Sequence, residues 1–265
     1  LPDTQQKRKI NTMFSFTAEA APYLVFTFLV LLLAGFVKGV IGLGLPTISI
    51  GLLGLILAPL EAAALLVVPN LVTNVWQLVA GPSIRALVKR LGPMMLGVVL
   101  GTFAGALWFS LGAFSWATAL LGLALVVYAG LGLAAKQLPL RREQESWAGP
   151  LVGFATGVVT ILTGVFVIPA VPYLQALKLE KDDLVQALGL SFLVSTVAFA
   201  LALFGTGVMV AADAGSSLLA LVPALGGMLL GQVMRSRISA QAFRRWFFSG
   251  LLLLGGYLML KAIVF

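Results

Sequence analysis

Long apolar stretches alternate with short polar ones along the whole chain. They fall at 22–58, 61–80, 91–110, 114–135, 148–177, 184–205, 216–232 and 246–264. Most reach or exceed the roughly 20 residues that a helix needs to cross the hydrocarbon core of a bilayer. The pattern therefore predicts an all-α integral membrane protein. The only strongly polar interior stretch is Gln137 to Ser146, QLPLRREQES, and it leaves four apolar segments on each side. This suggests a polar N-terminal segment 1–20, a first repeat 21–136, a linker 137–146 and a second repeat 147–265. The start lacks the profile of a cleaved signal peptide, and Met13 is a candidate natural start after twelve polar residues.

Comparison of the two halves supports a repeat. GFVKGV at Gly35 to Val40 matches GFATGV at Gly153 to Val158, an offset of 118 positions. Leu66, Val72 and Thr73-Asn74-Val75 match Leu188, Val194 and Ser195-Thr196-Val197 at 122, and Pro93, Gly97, Gly101 and Trp116 match Pro223, Gly227, Gly231 and Trp246 at 130. Charge then suggests how the halves are related. Arg85, Lys89 and Arg90 lie between the second and third segments, where the second half has Asp213 and no Lys or Arg. The next loop is uncharged in the first half, but its counterpart carries Arg235, Arg237, Arg244 and Arg245. Under the positive-inside rule, matched loops of opposite charge bias imply halves inserted in opposite senses, the inverted-repeat plan of many transporters.

Inversion needs an odd number of crossings per half, so one segment in each should turn back. The stretch Gly35 to Pro46, GFVKGVIGLGLP, is the first candidate, with four glycines, a proline and a lysine inside an apolar run. Glycine costs about 1 kcal/mol and proline about 3 in a helix interior, and a lysine at bilayer depth costs at least about 2.5 kcal/mol. A helix meant to break there must satisfy its freed backbone groups internally, beside a buried or water-filled cavity. In the second half, 147–177 suits two half-helices of about 12 residues joined at Thr160 to Gly164. The expected fold is thus two inverted repeats, each a broken, re-entrant hairpin plus three spanning helices, with both termini outside. Eight ordinary spans are the alternative.

Composition narrows the chemistry. The chain is 60% hydrophobic and 10% charged, with no cysteine and no histidine, and its mean hydropathy is +1.08. Thiol redox work, haem attachment, His-ligated metals and Ser-His-Asp hydrolysis are excluded; no cofactor, metal or catalytic residue is expected. The formal net charge of +8 sits in short loops where topology accounts for it, so nucleic acid is not an expected partner. The expected partners are a small anion and the lipid bilayer, with a homodimer left open.

The candidate site residues follow from the breaks. A helix opening at Pro46-Thr47, with proline at its first position, presents free N–H groups and a partial positive charge suited to an anion. Gly42 and Gly44 form the turn before it, and Thr160, Thr163 and Gly164 hold the corresponding place in the second half. Two such ends converging near the midplane would cradle an oxyanion. Lys38 is either the counter-charge for that anion or a side chain that snorkels out or pairs with its own hairpin. Asn70, Thr73, Asn74 and Gln77 share one helical face by their spacing, for substrate contact or for hydrogen bonding between helices. Ser191, Ser195 and Thr196 occupy related positions, where hydroxyls can also bond their own backbone. Gly97, Gly101 and Gly105 read as close helix packing, and the five tryptophans as interfacial anchors.

GFVKGVIGLGLPT, the following LLVVPNLVTNVWQ and the second-half GFATGV together resemble the TauE/SafE family of sulfite exporter-like membrane permeases, over nearly the whole chain. Many members carry GGG where this chain has Gly42-Leu43-Gly44. The resemblance implies a multi-pass carrier of the bacterial inner membrane, tied to sulfur metabolism, that moves anions such as sulfite and sulfoacetate. The leading expectation is therefore a transporter, an exporter, of small sulfur-containing anions such as sulfite or organosulfonates, with a midplane site exposed alternately to each side. Expelling one negative charge from a negative cytoplasm gains about 2.3 kcal/mol per 100 mV, so export needs no coupled ion. The alternative carrier is an importer or proton-coupled permease for a carboxylate or inorganic anion. A membrane enzyme lacks an acid, base or nucleophile set in the spans, and a purely structural subunit would bind no small anion.

Overall fold

The computed structural model of the protein describes residues 21–108, 116–134, 140–205 and 211–264. The expectations for segment 1–20, including Met13, lie outside these residues. Eleven helices and no strand occur among the described residues. In the first half they are α1 (Ala21–Ile41), α2 (Leu45–Leu53), α3 (Pro59–Leu65), α4 (Val67–Val79), α5 (Ile84–Trp108) and α6 (Ala117–Ala134). The second half has α7 (Arg142–Thr163), α8 (Ala170–Ala176), α9 (Lys181–Gly205), α10 (Ala211–Met234) and α11 (Ala240–Val264). The chain is an all-helical, multi-pass membrane protein: six of the described helices are long and apolar enough to cross a bilayer, seven if the bent pair α3 and α4 counts as one.

The membership of that set differs from expectation. α1 and α7, expected as half-helices, are both among the six. Each is about 31–33 Å long at 1.5 Å per residue, and each is followed by a short return helix of 9 or 7 residues. The break comes late because Gly35 and Gly39 are not part of it. A side chain at Gly35 would run into the Ala224 carbonyl and one at Gly39 into the Met228 carbonyl, both on α10. These glycines let two backbones touch inside a continuous helix. Only Gly42 (φ 80°) and Gly44 (φ 110°) take the left-handed conformation that stops α1.

Close approach through glycine recurs at the most extensive helix contacts, α5 with α7 and α1 with α10. Gly97 and Gly101 of α5 abut the Pro150 and Phe154 carbonyls, while Gly153 and Gly157 of α7 abut those of Met94 and Val98. On the other side Gly227 and Gly231 of α10 abut the Leu32 and Phe36 carbonyls of α1. The packing role read for Gly97 and Gly101 therefore holds, and Gly105 rests against Ile161. α6 packs along α11, and α4 along α9.

Three hydrogen bonds fix where the chain turns. Leu140 N–H donates to the Ala176 carbonyl at 3.1 Å, so the entrance to α7 and the end of α8 lie together. Arg244 donates to the Gly132 carbonyl at 2.9 Å, joining the end of α6 to the start of α11. Lys261, in the last turn of α11, donates to the Leu55 carbonyl just beyond α2 at 2.9 Å. The described ion pair, Arg90 with Glu145, clasps α5 to α7 with two bonds of 2.8 and 2.6 Å. All five tryptophans are at least 41% exposed.

Replacing Gly153 by leucine should force α5 from α7, lowering stability by about 1–3 kcal/mol or more, whereas Gly130→Leu, with nothing within 4 Å, should be tolerated. Thermal unfolding of the purified protein in detergent compares the two.

Candidate functional site

The site begins where α1 stops. Gly42 N–H donates to the Lys38 carbonyl at 2.8 Å, the chain turns through Leu43, and Gly44 caps α2. α2 opens at Leu45, so Pro46 is its second residue rather than its first, a position where the missing N–H is still harmless. Thr47 and Ser49 follow, fully buried, and neither hydroxyl has a hydrogen-bond partner in the protein. Lys38 is thus in the last turn of α1, not in the break.

The opposing wall is α4. Asn70, Thr73, Asn74 and Gln77 are all at most 6% exposed, while Val72, Val75, Trp76 and Val79 between them are 38% exposed or more. The helix is amphipathic in the sense a bilayer favours, with amides inside and apolar side chains outside. A bend of 54° separates α3 from α4, and Pro69 accounts for it by withholding a donor and crowding the preceding turn. The Val68 N–H released at the bend is taken up by the Ser217 hydroxyl of α10 at 2.9 Å, the internal satisfaction that a membrane interior demands.

Side chains of α4 hold the end of the first hairpin. Lys38, 3% exposed, donates to Asn74 Oδ1. It neither snorkels out nor pairs with its own hairpin. Gln77 Nε2 donates to the Gly42 carbonyl at 2.6 Å. Lys38, Gly42 and Gln77 line a cavity of about 230 Å³ whose wall also includes Asp182, Gln232 and Arg235. At about 30 Å³ per water, that is room for a small anion with part of its hydration shell. Two cationic side chains against one carboxylate leave the lining with one excess positive charge. Of the residues on this wall Gln77 keeps a buried oxygen without a protein partner, and beyond the wall Asn70, the Asn74 nitrogen and the Ser191 and Ser195 hydroxyls of α4 and α9 are buried in the same state. Unpaired buried polar atoms of this kind call for a partner from outside the protein, ordered water or a guest.

Other expected members take different places. Thr73 spends its hydroxyl hydrogen on the Pro69 carbonyl at 2.7 Å, and Thr196 on that of Phe192 at 2.6 Å. In the second hairpin Thr163 donates to the Val159 carbonyl at 2.7 Å and accepts from Val165 N–H at 3.1 Å, while Thr160 is 3.5 Å from the Val165 carbonyl. No helix begins at Thr163-Gly164. Gly164 (φ 72°) ends α7, buried Val165, Phe166 and Val167 follow without helix, and α8 starts only at Ala170. The two tips do not converge. Gly42 faces Gln77 and Val185, whereas Gly164 faces Ala63, Ile50 and the Pro59 carbonyl. Those contacts are some 14 positions apart along the bent α3–α4 pair, or about 20 Å of helix. The cause is the length of α1 and α7: at 21 and 22 residues each is long enough to cross a bilayer before the chain turns.

Gln186 was not anticipated. It is fully buried, accepting from Ser83 N–H at 2.8 Å and donating to the Leu78 carbonyl at 2.7 Å, so it ties the turn after α4 to α9 beside the cavity. A lone amide within an apolar segment was its only mark in the sequence. Among the described residues no three His, Cys, Asp or Glu side chains gather as a metal site needs.

A multi-pass helical bundle with a broken helix and a buried lysine on the wall of an open cavity is an arrangement that suits a membrane transporter. The sequence agrees: residues 27–258 match the family model described as Sulfite exporter TauE/SafE, and the chain belongs to that family of transporters. No curated protein and no solved structure matches significantly.

Ser217→Ala should leave the Val68 N–H unpaired in an apolar surrounding and lower stability by about 1–3 kcal/mol, while Ser217→Thr should recover most of it. Thermal unfolding of the two variants side by side is the measurement.

Proposed function

We propose that this protein exports small sulfur-containing anions, sulfite or a short organosulfonate, across the bacterial inner membrane. The observation that carries the reading is Lys38: an ammonium in the last turn of a broken helix, 3% exposed, with one amide oxygen as its protein partner, on the wall of an open cavity. An anion in that cavity balances the one positive charge that remains after Asp182 is set against Lys38 and Arg235. The Asn70, Asn74, Ser191 and Ser195 polar atoms continue the path between α4 and α9, and Thr47 extends it along α2.

Alternating access is proposed to run between two inverted repeats, 21–136 and 147–265. The glycine contacts support the repeat, because they exchange under the sequence offsets. Gly153 against Met94 and Gly157 against Val98 become Gly35 against Ala224 and Gly39 against Met228 when 118 is subtracted from the first member and 130 added to the second. Inversion is supported by the feet of the hairpins. Leu140 and Ala176 meet at the end where α6 finishes and α11 starts, while Leu55 meets Lys261 at the other end of α11. Each hairpin then enters and leaves on one side, although its arms are unequal. Movement of one repeat against the other opens the cavity to each side in turn.

In proteoliposomes loaded with sulfite or ethanesulfonate, wild-type efflux should rise when an imposed potential is made more negative inside, as expected for uncoupled movement of one negative charge. Lys38→Ala should reduce efflux at least tenfold and weaken anion binding in calorimetry by a similar factor; undiminished affinity would remove Lys38 as the counter-charge. Flux that ignores the potential points instead to proton-coupled movement. For the topology, a reporter inserted between Lys178 and Asp182 should read cytoplasmic; an external reading defeats the inverted arrangement.

A further inference from the structure

The hydrogen-bonding pattern around Lys38 restricts what the guest can be beyond its charge. A lysine ammonium only donates, so Asn74 must turn its oxygen to Lys38 and its nitrogen elsewhere. A backbone carbonyl only accepts, so Gln77 must turn its nitrogen to Gly42 and its oxygen elsewhere. The two amides are oriented by the chemistry of their partners, and neither can flip without losing its bond. Gln77 Oε1 is left buried, without a protein partner, on a residue that lines the cavity.

A buried acceptor beside an anion site is an obstacle to a fully deprotonated guest. Sulfite dianion and a plain alkanesulfonate offer only lone pairs, and oxygen set against Gln77 Oε1 is repelled. A guest with one O–H next to its anionic oxygens meets both requirements, donating to Gln77 and accepting from Lys38. We infer that Gln77 selects an oxyanion carrying one hydroxyl, with Gln77 Oε1 as the acceptor for that hydroxyl and Lys38 as the donor to the anionic end. This rests on the anion-carrier reading above and specifies its substrate class. The hydroxyl can come from two sources: a singly protonated inorganic oxyanion, or a hydroxyalkanesulfonate.

Calorimetry on the purified full-length protein separates them. In the organic arm, 2-hydroxyethanesulfonate is compared with ethanesulfonate. In the inorganic arm, sulfite is measured on either side of its second ionisation, with methanesulfonate, which has no O–H at either pH, correcting for titration of the protein. The O–H form should bind about tenfold more tightly or better in at least one arm, and the arm that shows the preference names the source. Gln77→Leu should bring that ratio to about one. Loss of the bond to Gly42 weakens both members of a pair alike, so the ratio still reports on Oε1; if the variant does not fold, the wild-type ratio decides alone. Equal affinity with and without O–H in both arms overturns the selection by Gln77 while leaving the anion site standing. Absence of binding by every anion overturns both.

Discussion

A charged amine inside a bilayer is tolerable only if the cost of removing it from water is offset on the spot, and Lys38 has little in the protein to offset it. Its ammonium carries three donors and is met by one amide oxygen, where insertion scales set the cost at about 2.5 kcal/mol or more. Much of the local architecture serves to keep that side chain in place. Gly42 and Gly44 stop the helix one turn beyond it, Gln77 holds the turn by its carbonyl, and Asn74 meets the amine itself. Replacing Asn74 or Gln77 by an apolar residue would therefore loosen the hairpin end as well as the site.

The bundle makes this arrangement rigid by bringing backbones together. Where glycines of α5 and α7, and of α1 and α10, touch the carbonyls opposite, helices approach more closely than any side chain would allow. In a membrane, association has no hydrophobic drive, and van der Waals contact at such seams takes its place. The same need for internal satisfaction explains Ser217 at the Pro69 bend and Gln186 at the turn after α4. Ser217, Gln186 and Gln77 each meet a backbone group at a bend or turn, whereas Thr102, Thr156 and Thr196 bond carbonyls of their own helices. Among the described residues the polar side-chain atoms buried without a partner lie on α2, α4 and α9, apart from those of Thr27 of α1 and Tyr128 of α6, and this contrast, more than burial itself, sets the site apart.

Much of this was legible in the residues. Spacing alone put Asn70, Thr73, Asn74 and Gln77 on one face, because a helix repeats every 3.6 residues whatever surrounds it. Glycine content located both breaks to within a few residues, and Lys38 drew attention by its cost. What spacing could not show was the use to which each glycine is put. Gly35 and Gly39 look like Gly42 and Gly44 on paper, yet the first two are packing surfaces and the last two a turn, since only a neighbouring helix distinguishes them. The even division of the hairpins and the meeting of their tips failed for this reason. Likewise a threonine gives no sign in sequence of whether its hydroxyl is free: Thr47 is unpartnered, whereas Thr163 and Thr196 bond within their own helices.

The second half has Thr156 at the place of Lys38, and its hydroxyl is occupied by the Val152 carbonyl at 2.8 Å. In the two-repeat reading this asymmetry follows from electrostatics. Packing can be duplicated freely, because a glycine seam costs the same in either half. A buried ammonium cannot, since a second one would double the desolvation cost and repel the first across a medium of low dielectric constant. A carrier that holds one singly charged guest gains from one such group and loses from two. The halves therefore keep a common skeleton while the charge, and the amides that fix it, remain on one side only.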